Sequence, residues 1–541
     1  MKNKIGFEKF GVMIDCSRNA VMNLPAFRKM VDILSSLGYN TIRLYTEDTY
    51  EVDGEPYFGY LRGRYTKAEW REMDAYAAAH GMELIPCIQT LAHLGGIFRY
   101  AGYGKIRDID DILLVGEERT YELIDHMLCT LSECFSSRNI HLGMDEAFML
   151  GKGKYLEKNG LQDSAEIIRK HLDRVLMIAK KYGFTCEIWG DMFMHAAYGA
   201  TGGVYEARKD EADKIAPLVP EDLRLCYWDY YHTEISHYEE WIDRHRRLTE
   251  NVSFAGGIWT WTGFCPNNSY SLKITQAAVR ACLNKGVHEV YFTMWGDNGG
   301  ECSPFGVLPS LVAASEFARG NFDRQAIRGV FLEKIGVDFD LFCDLETPDR
   351  VYQSPGAPPS TDDPSKVMLF TDPFFGIFDL RVREGVAPGY YRKVAARLKE
   401  GESHPEWGYL FRSLRALCKV LEIKFDLGVK TRKAYQAGDR ETLGQLVKEY
   451  AQLLVRLDKF YEAFEAFWMT EKKPFGFEVQ DIRLGGVRQR VAHCRTRLEN
   501  YLAGKEKNIP ELEEELLQPL GMSGDSIGYN YYGVLPTANF I

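Results

Sequence analysis

A chain of 541 residues with 45% hydrophobic and 26% charged positions has ordinary globular composition, which excludes a disordered or fibrous protein. It is longer than a single hydrophobic core usually grows, so one large domain and at least one smaller one are expected. The formal net charge of -11 argues against nucleic acid or an anionic membrane as the main partner, because neither is drawn to such a surface, and it leaves a neutral substrate compatible.

The opening segment, MKNKIGFEKFGVMID, has lysines but no apolar h-region and no small-residue cleavage site, so it does not read as a signal peptide. No window approaches the ~18 uninterrupted apolar residues of a transmembrane helix. The twelve cysteines are scattered, and Cys16, Cys87, Cys186 and Cys226 sit inside apolar runs, as reduced core thiols do. Cys129 and Cys134 have no matching pair elsewhere to complete a zinc site. A reducing cytoplasm is the expected location, with no cofactor and no metal.

Short apolar runs then alternate with stretches of helical period. The runs are Gly11–Cys16, Thr41–Tyr45, Glu83–Ile88, Ile140–Gly143, Cys186–Trp189, Leu223–Trp228, Ser253–Trp259 and Glu289–Met294. Helices are expected between and after them at Leu24–Leu37, Lys67–His80, Glu117–Ser136, Asp163–Tyr182, Arg208–Leu218, Glu234–Leu248, Leu272–Lys285 and Leu308–Phe317. Thr66 with Glu69 three residues on is a capping box opening the second helix. Gly38, Gly81, Gly183 and Gly286 each follow a helix, where a left-handed cap prefers glycine.

Repeated helix-to-strand transitions with short turns imply parallel strands, and eight such units suit a closed barrel better than an open sheet. A doubly wound sheet would want a glycine-rich turn after its first strand, and here that turn is CSRNAVMN. The expected fold is therefore α/β, a (β/α)8 TIM barrel over residues 1–325 with a mainly α-helical domain over 326–541. Within the latter, SPGAPPSTDDPS at 354–365 reads as loop, and Gly389–Leu502 is almost continuous helical periodicity, notably Glu441–Thr470 and Val479–Leu502. That helical part is either a buttress of the barrel or a surface for homodimer formation. The aromatic, uncharged end GYNYYGVLPTANFI should pack down.

Catalytic groups of such barrels sit at the carboxyl ends of the strands. Those positions hold Asp15 and Arg18; Glu47 and Asp48; Gln89 and His93; Asp145 and Glu146; Trp189 and Asp191; Tyr227, Asp229 and Tyr230; Trp259 and Trp261; Trp295 and Asp297. Carboxylates and aromatics dominate, as a site that stacks on sugar faces and binds hydroxyls requires. No His-x-His begins a metal-dependent site, and no lysine closes a strand for Schiff-base chemistry. The fourth strand end, Ile140-His-Leu-Gly-Met-Asp-Glu-Ala, is the most informative. Adjacent carboxylates do not easily flank a glycosidic bond from opposite faces. If one protonates the leaving oxygen, a 2-acetamido group on the sugar can act as the nucleophile, and the other carboxylate need only hold that amide and stabilise the positive oxazolinium.

This stretch resembles the His/Asn-x-Gly-x-Asp-Glu-Ala signature of family 20 glycoside hydrolases, the β-N-acetylhexosaminidases, a recognised substrate-assisted exception to the two-carboxylate rule. Further resemblances follow in the family's order: Leu44-Tyr-Thr-Glu-Asp to Leu-Thr-Asp-Asp, Ile85-Pro through His93 to the histidine-bearing turn, Trp189-Gly-Asp to Gly-Trp-Asp-Glu, Tyr227-Trp-Asp to Tyr-x-Asp, and Met294-Trp-Gly-Asp to Trp-x-Glu. The resemblance implies retaining, exo-acting hydrolysis of a glycan ending in β-linked GlcNAc or GalNAc. It implies Glu146 as acid/base, Asp145 as the group that orients the acetamido nitrogen, and Tyr227, with Tyr230 as its rival, as donor to the acetamido oxygen. Trp189, Trp259 and Trp295 would wall the pocket; Asp229 and Asp297 would hold distal hydroxyls, with Asp48 and His93 also binding substrate. Where the family has an arginine before the first strand's glycine this chain has Phe10, leaving Arg18 or Arg43 to substitute. The family's amino-terminal α/β domain does not precede the first strand. Two other readings compete: a barrel glycosidase for sugars without the acetamido group, and a non-catalytic sugar-binding protein.

Overall fold

Eight parallel strands close into a barrel in the order of the sequence: β1 (Lys9–Asp15), β2 (Thr41–Tyr45), β3 (Glu83–Cys87), β4 (Asn139–His141), β5 (Thr185–Trp189), β6 (Arg224–Asp229), β7 (Val252–Gly257) and β8 (Glu289–Met294). β1 pairs with both β2 (Gly11 beside Thr41) and β8 (Gly11 beside Tyr291), which completes the closure. The computed structural model describes residues 4–200, 205–354, 358–529 and 531–539. Residues 1–3 of the opening segment, 355–357 of the Pro/Ser-rich stretch, and 530, 540 and 541 of the aromatic end lie outside the described residues.

The strands read as unbroken apolar runs because helices cover their outer faces while side chains fill the interior, so both faces are buried. β2, β7 and β8 are buried at every position. Helices form where the sequence places them, at Leu24–Leu37, Lys67–Ala79, Glu118–Cys134, Ser164–Lys181, Ile235–Arg246, Asn268–Lys285 and Leu308–Ala318. The capping box is made in full: Thr66 accepts from the Glu69 N–H while the Glu69 carboxylate accepts from Thr66 N. Gly38 ends the first helix at φ +89°, its N–H reaching the last free carbonyls. The expected helix over Arg208–Leu218 shrinks to Ala212–Ile215 and a 3-10 turn at Ala216–Leu218, a stretch interrupted by Pro217.

Two compact units divide the chain. One holds the barrel, with Met1–Ile258, Ser271–Met294 and Ser310–Val330; the other takes Trp259–Tyr270, Trp295–Pro309 and Phe331–Ile541. The segments just after β7 and β8 thus cluster with the helical part. In that second unit the helices Val386–Leu398, Gly408–Gln436, Arg440–Glu471 and Phe477–Leu502 carry the periodic stretch. Near the carboxyl end Tyr532 meets Phe370 edge-on at 4.9 Å and Leu535 is fully buried. No helix among the described residues is long and apolar enough to cross a membrane.

Alternation along each strand decides what points inward. Inside the barrel Arg43 is fully buried with its Nη2 3.2 Å from Glu187 and also bonded to Glu289, and its guanidinium lies 3.9 Å from the Tyr291 ring centre. Arg224 adds a 2.6 Å contact to Glu289, and Ser253 donates to Glu187. Burial works against the Arg43 charge, but Glu289 and Glu187 outweigh it and hold its pKa above the ordinary arginine value. Arg43 is therefore a core residue and does not replace the missing sugar-binding arginine. Removing it leaves the buried Glu187 without its counter-charge and Glu289 with Arg224 alone, so Arg43→Met should lower stability by about 3–5 kcal/mol. Guanidinium melts of the two proteins measure this, and a loss under about 1 kcal/mol would show the cluster to be dispensable.

Candidate active site

The turn after β4 gathers the chemistry. Gly143 has φ +78°, and a Cβ there would lie 2.1 Å from Gln89 Oε1, so only glycine lets Gln89 approach this backbone. Gln89 then accepts from Met144 N at 3.0 Å and donates from Nε2 to Asp145 Oδ1 at 2.6 Å and to Tyr45 Oη at 2.9 Å. His93 completes the grip: its Nε2 is 3.2 Å from Asp145 Oδ2 and 3.7 Å from Glu146 Oε2. Asp111 accepts from His93 N at 3.2 Å. One oxygen of each carboxylate and one His93 nitrogen all lie within 4.8 Å of one another.

The two carboxylates differ in setting. Asp145 is 8% exposed; burial pushes its pKa up, but the charge and hydrogen bond of His93 and the bond from Gln89 overcome this and hold it below the usual range. The Glu146 side chain is 44% exposed, and burial of its carboxyl together with the Asp145 charge pushes its pKa up. Asp191, first residue of the helix Asp191–Tyr198, accepts from Glu146 N at 2.9 Å. Its own carboxyl is driven above the carboxylate range by burial and by Asp145, with the Trp228 indole beside it. The backbone is left-handed at Glu47 (φ +48°), His93 (+57°), Met144 (+73°) and Glu146 (+53°), a concentration of strain of the kind functional sites hold.

Of the residues expected from sequence, Asp145, Glu146 and His93 come together here. Arg18 does too through a relay: it sits 3.7 Å from Asp15 and 3.4 Å from Glu47, whose carboxyl senses both Arg18 and His93. Asp48 does not take the expected role. It is 1% exposed and held by Arg62 at 2.7 Å, so Glu47, one residue earlier, is the strand-two carboxylate on this network. Trp189 faces inward but is 1% exposed, packed 4.3 Å from His141 and 6.2 Å from Tyr291; it is floor rather than wall. The buried His141 beside it has its pKa lowered to about 3 by burial and Arg43 and stays neutral.

Tyr227 and Asp229 are corrected by the register of β6. Cys226, whose Sγ is 3.1 Å from the inward Tyr291 Oη, points into the barrel, so Trp228 and Tyr230 share that face and Tyr227 and Asp229 point outward. The Tyr227 ring is packed against His245 at 4.8 Å, Tyr205 at 5.0 Å and Phe254 at 5.2 Å, and its hydroxyl donates to Asp229 at 2.8 Å. Asp229 is committed further to Tyr231 N and to His232, leaving no oxygen for a sugar. Tyr230, 5.1 Å from Trp228, is the tyrosine on the inward side.

Trp259, Trp295 and Asp297 belong to the second unit. There Trp259 stacks on Trp261 at 4.4 Å, Thr260 donates to the Trp295 carbonyl at 2.7 Å, and Asp297 has φ +26°. The loop that follows is secured by the helical segment: Arg483 donates to the Asn298 carbonyl (2.7 Å), Gln480 to Gly299 (3.1 Å) and Lys472 to Gly300. Arg483 and Lys366 also pair with Glu301 at 2.8 and 3.0 Å. Glu47, Gln89 and Asp191, which the sequence places at strand ends without a role, contribute here, as do Asp111 and Trp228, which it does not single out. Counting alternate residues forward from the strand cysteines Cys87 and Cys226 reaches Gln89 and Trp228; Asp111, in a long loop, has no such signal.

A closed (β/α)8 barrel with an Asp-Glu pair and an engaged histidine at its strand ends is the class of molecule these features define. Residues 7–233 match the glycosyl hydrolase family 20 catalytic domain, and residues 340–527 match the glycoside hydrolase 20C C-terminal domain. The chain belongs to glycoside hydrolase family 20. Hexosaminidase D of Bos taurus is 24% identical over 241 residues, covering 42% of this chain and 63% of that protein; Hexosaminidase D of Homo sapiens is 22% identical over 208 residues, covering 37% and 40%. The match thus spans less than two thirds of either relative. A solved β-N-acetylhexosaminidase of Bacteroides fragilis is 17% identical with a TM-score of 0.47, over 61% of this chain and 70% of that one.

The His93–Asp145 contact has a pH signature. Burial lowers the His93 pKa, but Asp145 and Glu47 raise it to about 10 overall. An unfolded histidine titrates near ~6.5. The folded value is higher, so the stabilisation is complete below about pH 6.5 and is lost as pH rises through the folded value. His93→Gln should therefore melt well below wild type at pH 6, with the gap closing toward pH 10; a gap independent of pH would rule out a charged His93.

Proposed function

We propose that the chain is a retaining, exo-acting β-N-acetylhexosaminidase that removes terminal β-linked GlcNAc, with GalNAc as a second substrate, through an oxazolinium intermediate. The observation that carries the reading is that a single His93 nitrogen contacts both carboxylates, at 3.2 and 3.7 Å. Asp145 and Glu146 are therefore on one side of any sugar they serve, and neither is placed to attack while the other protonates. The names of the matching relatives, hexosaminidases, agree with this.

In this mechanism the Glu146 carboxyl gives its proton to the glycosidic oxygen as that bond breaks. The acetamido carbonyl oxygen forms the new bond to the anomeric carbon, and Asp145, held ionised, takes the amide N–H and offsets the positive charge. Glu146 then removes a proton from water as the water opens the ring, giving back the β-anomer. Tyr230 is the hydroxyl donor to the acetamido oxygen, and Arg18 with Glu47 replaces the family arginine at the sugar's outer hydroxyls. A glycan or glycoconjugate with a terminal N-acetylhexosamine is the partner. Ten of the twelve cysteines are buried as thiols, which fits work in a reducing cytoplasm.

Glu146→Gln should cost about 10²–10⁴-fold on a disaccharide and much less on an aryl glycoside whose leaving group needs no proton. Asp145→Asn should impair both substrates. Rapid hydrolysis of β-glucosides, insensitive to a thiazoline mimic of the intermediate, would instead establish a glycosidase for sugars without the acetamido group.

The pH profile follows from the two shifts. Turnover should fall as pH rises through the Glu146 pKa, raised above 4.5, because the acid loses its proton. It should fall again below the Asp145 pKa, lowered from 3.8. An alkaline limb that persists in Glu146→Gln would assign that proton elsewhere.

A further inference from the structure

The turn that follows the Asp145–Glu146 pair shows apolar side chains to solvent, and the proposed reaction gives them nothing to do. Ala147 and Leu150 are buried, whereas Phe148 is 41% and Met149 45% exposed. The display is built into the backbone. Phe148 N donates to the Glu146 carbonyl at 2.7 Å and Leu150 N to the Ala147 carbonyl at 2.9 Å. Just beyond, the buried Asp108 accepts from Gly151 N at 3.0 Å and from Tyr155 N at 2.7 Å, which fastens the turn to the segment after β3. The Phe148 ring meets His195 edge to face, with centres 5.7 Å apart and planes at 70°. His195 stands on the helix Asp191–Tyr198, whose first residue accepts from Glu146 N. Its Nδ1 donates to the Ala200 carbonyl at 2.9 Å, so Nε2 is an acceptor in the uncharged ring. Single exposed apolar side chains are ordinary. What distinguishes Phe148 is its place, one hydrogen-bonded turn from the proton donor and with a polar acceptor at its edge.

We propose that Phe148, with His195 at its edge, is the platform for the leaving group, a sugar or aromatic ring joined through the glycosidic oxygen that Glu146 protonates. This rests on the function proposed above and adds to it what the chain recognises beyond the terminal sugar. The acid has to come within hydrogen-bond reach of the oxygen that joins the two halves of the substrate, so the leaving half lies on the Glu146 side of the site. Phe148 is two residues from that acid and bonded to its carbonyl, on the same turn. An aromatic face is negative and attracts the positively polarised C–H hydrogens of a pyranose, and covering the ring removes apolar surface from water. His195 Nε2 then takes a hydroxyl of the same sugar. One ring face and one acceptor select for a flat or ring-shaped leaving group without reading its full hydroxyl pattern, so ring-bearing glycosides are favoured over alkyl ones.

The test compares the full-length wild type with Phe148→Ala, Phe148→Trp and His195→Phe on chitobiose and on the nitrophenyl and methyl N-acetyl-β-glucosaminides. In Phe148→Ala, kcat/KM should fall about tenfold for chitobiose and the nitrophenyl glycoside and by less than about twofold for the methyl glycoside, which has no ring to place. Phe148→Trp should restore both ring substrates. His195→Phe should slow chitobiose and spare the nitrophenyl glycoside, whose aglycone has no hydroxyl; loss on both overturns the role of His195. Inhibition by a thiazoline mimic, which fills only the terminal-sugar pocket, should be the same in every variant. Equal losses on ring and methyl substrates, or a weakened thiazoline, overturn the platform and make Phe148 a prop for Glu146, and unchanged rates on all three substrates overturn it as well. Calorimetry with thio-linked chitobiose separates this inference from the reaction: its affinity should exceed that of the methyl glycoside, and the excess should vanish in Phe148→Ala whether or not any glycoside is cleaved. A wild type that cleaves none of the three yet shows the excess refutes the proposed reaction and keeps the platform; one that cleaves them without the excess does the reverse.

Discussion

Asp145 is ionised in a place that disfavours charge. Burial alone would protonate it, and what prevents that is a hydrogen bond from Gln89 to one oxygen and an ion pair with His93 at the other. The rest of the strand-end arrangement serves these two contacts. Gly143 must lack a side chain for Gln89 to fit, Tyr45 takes the second Gln89 proton, and Asp111 takes the His93 peptide N–H. The retained charge then acts on its neighbours: it raises Glu146 and Asp191 and draws the His93 proton on. One preorganised anion thereby separates two adjacent carboxyls into a base-like and an acid-like partner, the division of labour that a proton donor beside an ionised group needs.

The same economy explains where the backbone is strained. Glu47, His93, Met144 and Glu146 adopt left-handed conformations that cost non-glycine residues of order 1 kcal/mol or more each. Such a conformation turns a side chain away from the direction the strand would have given it. A barrel strand delivers only every second residue inward, and the Asp145–Glu146 pair requires two consecutive residues to serve one centre. The positive φ at Glu146 is how the chain breaks that alternation, and the Asp191 acceptor on Glu146 N helps to hold it there.

Periodicity made the barrel legible from the sequence. All eight strands and seven of the eight helices after them appear where apolar runs and helical period put them, because both signals reflect burial along a regular element. At the site, Asp145, Glu146 and His93 were readable from a local motif. Tyr227 and Asp229 were misassigned by one residue of register: a Tyr-x-Asp spelling does not say which face of β6 it occupies, whereas Cys226 facing Tyr291 does. Asp48 failed for the related reason that Arg62, fourteen residues on in an irregular loop, claims it.

Long-range satisfaction of irregular backbone is the part that no local pattern encodes. The loop after Asp297 is left with carbonyls that neither helix nor strand can satisfy, and each such group must find a donor when buried. Those donors are Arg483, Gln480 and Lys472, all more than 170 residues downstream. In sequence they are unremarkable polar positions of long amphipathic helices, and the helical segment accordingly reads as chemically silent. Its polar side chains instead define the conformation of a loop that follows directly from β8. A substitution at Arg483 is therefore better understood as a change to that loop's backbone than as the loss of a surface charge, since it strands the Asn298 carbonyl and leaves Glu301 with Lys366 alone.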